Sequence, residues 1–211
     1  MNFLAHLHCS PNHPLIRVFN FTADGIRGNL WKREASAAQI IGVDLHRFID
    51  HFTDEHPLSK KAKKHLRREA GKTAPIALDL LGDHFLLKHW AVLASSSTGN
   101  LNPQEFIVQC YRELSEHQHL LVGKAARMWP FMHKEDWLSS YADLNGVRRA
   151  AAGMSARHPA IQQLGIFFDR LNTKDESYRI AEQWFIEFYP KLFQQSQSFV
   201  ANHPVINKLE L

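Results

Sequence analysis

The sequence predicts an all-α fold. Three observations lead there: apolar residues recur at steps of three and four along most of the chain, no stretch alternates apolar with polar as a half-buried strand would, and prolines open several helix-length segments. The stretch 42–57 shows the pattern best. Ile41, Leu45, Phe48 and Phe52 make one core-facing stripe on a helix, Ser36 is a suitable N-cap, and the helix should run to about His56 before Pro57 restarts the chain. Beside the stripe, His46, Asp50 and Asp54 stand at i, i+4 and i+8, an imidazole and two carboxylates on one side and within reach of a common ion. The alternative for the same three residues is a solvated polar face with Asp54 acting as a cap.

Composition narrows the class. A chain of 211 residues suffices for one well-buried core and is short for two, so one domain spanning 1–211 is expected. Apolar residues at 45% and charged residues at 22% argue against disorder. The net charge of +4 is mild, but the basic residues cluster, and clustering matters more for partners than the total. Fourteen histidines, several beside carboxylates, raise the prospect of transition-metal chemistry. Cys9 and Cys110 are too few for a disulfide framework or a four-thiolate zinc site and suit a reducing compartment. The first residues lack the basic start and apolar run of a secretion signal, and no apolar stretch approaches the roughly eighteen residues of a membrane span. A soluble, cytoplasmic protein is therefore expected.

Taken in order, the chain opens with apolar Phe3, Leu4 and Leu7 mixed with polar Asn2, His6 and His8. Phe3 and Leu4 should bury, which would draw their polar neighbours inward. Pro11 and Pro14 break the segment. In the stretch 20–29, Asp24 and Arg27 stand at i, i+3, either as a surface ion pair of little value or as a carboxylate ligand with a phosphate-binding guanidinium one turn away. After the central helix, the segment 58–69 carries Lys60, Lys61, Lys63, Lys64, Arg67 and Arg68, a solvated helix face that also offers a basic strip to an acidic partner.

Thr73 and Pro75 open the next helix, over 75–90, in which Asp79 and Asp83 share a face at i, i+4. The segment is so apolar that most of it must be buried, and buried carboxylates need a partner: a cation, an arginine or a metal, with His84 and His89 nearby favouring the metal. Residues 95–102 form a short low-complexity linker. Beyond it, Pro103 starts a helix to about His119, and Trp129, Phe131, Trp137 and Tyr141 supply large apolar bodies. Amphipathic segments follow at 147–154 and 160–171, then a final helix from about Asp175 that is expected to kink at Pro190. There is no internal repeat, no glycine-rich phosphate loop and no Gly-x-Ser-x-Gly elbow.

Four segments together are similar to the acyl carrier protein phosphodiesterase family. They are Asn2-Phe3-Leu4-Ala5-His6, Ala23-Asp24-x-x-Arg27-Gly28, His46-Arg47-x-Ile49-Asp50-x-x-Thr53-Asp54 and Asp83-His84-Phe85-Leu86-x-x-His89-Trp90. Gly153-Met154-x-x-Arg157-x-Pro159 and Phe188-Tyr189-Pro190 fit as well, so the resemblance spans nearly the whole chain. Each motif alone is weak, while their order and spacing together are specific. The resemblance implies a helical fold related to the HD phosphohydrolases, a divalent metal that is usually manganese (Mn2+), and acyl carrier protein as an acidic protein substrate. It also implies the reaction: cleavage of the phosphodiester between the carrier's serine and 4′-phosphopantetheine. One departure matters. HD enzymes are named for an adjacent His-Asp pair, and this chain has Asp50-His51 and Asp83-His84 but no His-Asp dipeptide.

Ligands therefore do not transfer by motif and rest on helix geometry. His46, Asp50, Asp83 and Asp24 are the expected direct metal ligands, with His6 and His84 as alternates, since imidazole plus carboxylate suits manganese or iron. Arg27 and Arg47 would neutralise the phosphate in the transition state, and Asp54 or Asp79 would orient the water. Two other classes remain open at this stage. A metal phosphohydrolase acting on a nucleotide would share the His/Asp core. A nucleic-acid-binding module using residues 60–68 would leave His46 and Asp50 unexplained and lacks aromatics interleaved with its cations.

Overall fold

The computed structural model describes residues 1–209. Among them are twelve α-helices and no strand, as the periodicity predicts. The first half comprises α1 (Phe3–Cys9), α2 (Pro14–Thr22), α3 (Ala37–Glu55), α4 (Pro57–Ala70), α5 (Ala74–Lys88) and α6 (Trp90–Leu93). The second comprises α7 (Pro103–Glu116), α8 (Gly123–Lys134), α9 (Trp137–Ser140), α10 (Leu144–Arg157), α11 (Gln162–Arg170) and α12 (Glu176–Ala201).

Local chemistry sets the main boundaries. Ser36 Oγ accepts the Gln39 N–H at 3.2 Å and starts α3 where its sequence places the cap. Pro57 occupies the first turn of α4, where a missing N–H costs nothing, and Gly71 ends that helix with φ +57°. Asn102 and Glu105 form a reciprocal capping box at the start of α7. The helix expected over 75–90 stops at His89 and restarts as α6. In α12 the helix continues past Pro190 to Ala201.

α5 lies at the centre, packed against α1, α4, α10 and α12. Eleven of its residues are buried on all sides of the helix, including Leu78, Leu81, Phe85 and Leu86. Against it stands an aromatic layer from α12, with Phe185 stacked on Tyr189 at 4.6 Å between ring centroids. Truncating a fully buried ring there, Phe85 or Phe185, would cost about 3–5 kcal/mol.

α1 is a short helix with residues 4–9 all buried, and an unusual anchor holds it. Both oxygens of Asp83, on α5, accept main-chain N–H groups of α1: Oδ2 from Leu4 and Oδ1 from Ala5, each at 3.0 Å. A carboxylate at the start of a helix satisfies donors that have no partner within it. This differs from the cation, arginine or metal that the sequence expects as partner for a buried Asp83. Burial pushes Asp83 up to about 7, against the pull of the two N–H groups.

Candidate metal centre

α2 crosses α3 tightly because Gly42 has no side chain: a Cβ there would lie 2.6 Å from the Ile16 oxygen and 2.7 Å from Phe19 Cβ. One turn on from Gly42, the close crossing sets His46 against Asn20. α1 brings His6 to the same point, and the two imidazoles stack at 4.2 Å between centroids. His6 Nε2 lies 3.1 Å from Asp50 Oδ1, His46 Nε2 lies 3.3 Å from Asp50 Oδ2, and Asp24 Oδ1 lies 3.2 Å from His46 Nε2. His6, His46 and Asp50 each offer one ligand atom, and these three atoms lie within 4.8 Å of one another.

Asn20 fixes the state of both rings. Its main-chain oxygen, which can only accept, takes the His46 Nδ1–H at 2.8 Å. Its side-chain Nδ2 donates to the His6 main-chain oxygen and to Ser10 Oγ, so Oδ1 is the end that accepts the His6 Nδ1–H at 2.9 Å. With both Nδ1 atoms protonated, both Nε2 lone pairs face carboxylate oxygens, an arrangement that repels unless a proton or a cation sits between them. The donor set of two imidazole nitrogens and a carboxylate, each ring held from behind by a hydrogen bond, fits a transition-metal ion.

Electrostatics point the same way. Burial alone would lower His46, but the Asp24 and Asp50 carboxylates outweigh it and hold the ring at about 9. Burial, aided by the charge of His46, drives His6 down to about 4. Burial would raise Asp50, yet the hydrogen bonds from His46 and His6 prevail and keep it well below the usual carboxylate range. The cluster thus favours positive charge, supplied by a proton on His46 and by the Met1 ammonium 3.4 Å from Asp50.

The other expected residues are placed differently. Asp24 sits on a short 3-10 turn, 56% exposed and in contact with His46, whose hydrogen bond lowers it. Arg27 is exposed, with no carboxylate within 4 Å among the described residues. Arg47 is committed to the loop before α3: it donates to Asn29 Oδ1 and to the Ile26 and Gly28 oxygens, all within 3.2 Å, and lies over the Trp31 ring. Asp54 does not reach the cluster. Eight residues climb about 12 Å along a helix, too far to share an ion with His46, and Asp54 is 67% exposed and paired with Lys63. Asp79 faces the Met1 amine at 3.4 Å, and the same amine is 3.4 Å from Asp50. Asp83 holds α1, and His84 donates from Nδ1 to the Tyr141 oxygen while its Nε2 meets the Tyr178 hydroxyl at 2.9 Å.

Asn20 itself is a residue that sequence reasoning passed over. Its signal is an asparagine between Phe19 and Phe21 in a helix so apolar that burial was to be expected, and it is 0% exposed. No helix among the described residues is long and apolar enough to cross a membrane.

The family profile described as "Acyl carrier protein phosphodiesterase" matches residues 1–192. A protein of that name from Serratia proteamaculans is 32% identical over 198 residues, covering 93% of this chain and 98% of its own. One from Photorhabdus laumondii is 30% identical over 94% of this chain and 96% of its own. One from Escherichia coli O157:H7 is 32% identical over 93% and 97%. No solved structure matches.

Proposed function

The chain belongs to the acyl carrier protein phosphodiesterase family, and from that premise we propose that it hydrolyses holo acyl carrier protein, releasing apo carrier and 4′-phosphopantetheine at a divalent metal held by His6, His46 and Asp50. The observation that carries the metal part is the pair of Nε2 lone pairs turned toward the Asp50 and Asp24 carboxylates by Asn20. A phosphodiester resists attack because its anionic oxygens repel the nucleophile, and a bound divalent ion supplies the missing positive charge and acidifies adjacent water. We assign manganese as that ion because imidazole and carboxylate together suit it. Asp24, exposed beside His46, is the carboxylate best placed to accept a proton from the attacking water. A helical His/Asp centre of this kind supports kinship with the HD phosphohydrolases, and the free, buried thiols of Cys9 and Cys110 support a reducing, cytoplasmic setting.

The basic strip on α4 supports docking of an acidic protein. Lys60 pairs with Glu55 and Lys63 with Asp54, so two of the six cations are tied to the end of α3. Lys61, Lys64, Arg67 and Arg68 are exposed and form no ion pair within 4 Å among the described residues, which offers four charges to a partner.

The test is mass spectrometry of holo carrier incubated with the purified protein in ¹⁸O-labelled water. Loss of the prosthetic group should leave unlabelled serine on the carrier and one label in the phosphate of 4′-phosphopantetheine. Label in the serine hydroxyl would contradict attack at phosphorus, and an intact holo carrier would contradict the activity.

A further inference from the structure

We propose that Lys124, at the start of α8, contacts the substrate phosphate across the metal centre. The inference rests on the reading of the reaction above and adds a residue to it.

Backbone packing places this lysine. The Val122 N–H donates to Thr22 Oγ1 at 2.8 Å, and Thr22 Oγ1 in turn reaches the Val122 oxygen at 3.4 Å. Next to that pair two glycines meet. A Cβ on Gly123 would lie 2.8 Å from Gly25 Cα, and one on Gly25 would lie 2.8 Å from the Val122 oxygen, so the two main chains touch in a way that other residues would not permit. Gly123 also holds φ +60°. Asp24 and Lys124 are each the immediate neighbour of that glycine contact. On its other side Lys124 lies over Phe3, with Nζ 5.8 Å from the ring centroid, and Phe3 precedes His6 by one turn of α1. Lys124 thus follows the glycine contact that adjoins the Asp24 turn, and its exposed ammonium lies over Phe3 on the helix that carries His6.

Its charge is not otherwise engaged. No carboxylate lies within 4 Å of it among the described residues. Charge balance gives it a task. Asp24 and Asp50 together offset a divalent ion, so the single negative charge of a phosphodiester arrives uncompensated. Arg47 is committed to the 26–29 loop and the Met1 amine is shared between Asp50 and Asp79, whereas Lys124 stands beside the Asp24 turn with no carboxylate of its own among the described residues. An ammonium is a compact point charge and suits a phosphate oxygen whose charge grows in the transition state.

The experiment compares the wild type with Lys124→Ala and Lys124→Arg. It measures kcat and KM for holo carrier and for bis(p-nitrophenyl) phosphate, binding of 4′-phosphopantetheine by calorimetry, and bound manganese per chain. Lys124→Ala should lose about 10²-fold in kcat/KM on both substrates, bind 4′-phosphopantetheine roughly tenfold more weakly and keep its metal, and Lys124→Arg should recover most of the loss. Wild-type behaviour of Lys124→Ala, a loss confined to the protein substrate, or a loss of metal would each overturn the proposal. If the wild type leaves holo carrier intact, the reaction assigned above fails, while the small diester and the binding measurement still decide the role of Lys124.

Discussion

Asn20 and His46 are joined through the main chain, the His46 Nδ1–H donating to the Asn20 oxygen at 2.8 Å, while the Asn20 side chain holds His6 at 2.9 Å. One residue thus orients both imidazoles by two different groups, and substitution can remove only one of them.

Asn20→Ala should accordingly disturb His6 and spare His46. The His6 Nδ1–H, the His6 oxygen and Ser10 Oγ would all lose a buried partner, at about 1–3 kcal/mol for each group left unsatisfied. Metal affinity should fall about 10- to 100-fold, as removal of a hydrogen bond behind a ligand commonly causes. Titration with manganese alongside circular dichroism would check this, and unchanged affinity in a well-folded variant would refute it.

Four carboxylates on two helices differ in what they touch. Asp50→Ala should abolish metal binding and activity with helical content retained. Asp54→Ala should leave metal occupancy unchanged, because its carboxylate pairs with Lys63 at the far end of α3. Asp79→Ala should also keep the three-ligand group intact. Asp83→Ala should act through stability, since it strands the Leu4 and Ala5 N–H groups, and any loss of metal should follow the loss of folded protein. Metal analysis with thermal melts on the four variants tests the assignment, and metal loss in a stably folded Asp83→Ala would contradict it.

These contrasts show what a sequence can carry. The α3 stripe and the His46/Asp50 pair are local, set by helix periodicity, and were legible. His6 arrives from 40 positions earlier through an anchor that no residue pattern announces: Asp83 is satisfied by main-chain N–H groups, which are the same in every sequence. Asp54 shares its face with His46 and Asp50, but angular position says nothing of the rise along the axis. α8 was hidden because Pro130 lies inside it, and the Gly25–Gly123 contact depends on two segments about a hundred residues apart.

Acid should weaken the fold partly through His84. Lys88 donates to the Tyr178 oxygen at 3.2 Å and His84 Nδ1–H donates to the Tyr141 oxygen, so the Tyr178 hydroxyl must donate to a neutral His84 Nε2. Burial lowers His84 from its ordinary 6.5. A base lowered in the folded state favours the neutral ring, so its stabilisation is full above pH 6.5 and is lost as the pH falls below it. Melting temperature should drop less between pH 7.5 and 5 in His84→Gln than in the wild type; equal drops would show that His84 carries none of the effect.

Docking on α4 should be electrostatic. Lys64→Glu with Arg67→Glu should raise KM for holo carrier several-fold and leave kcat on a small phosphodiester unchanged. The difference from wild type should shrink as salt rises, since charges are screened over about 8 Å at physiological ionic strength. Equal losses on both substrates would instead place the damage in the centre or the fold.

The central claim is that His6, His46 and Asp50 hold the ion on which cleavage depends, and metal removal and readdition test it most directly. Chelator-treated wild type should fail to cleave holo carrier and should recover on titration with manganese, in proportion to metal bound at one site group per chain. His46→Ala, folded to the same helical content, should neither bind that metal nor recover. Full activity in the metal-free wild type, or recovery of His46→Ala at the wild-type metal concentration, would contradict the account.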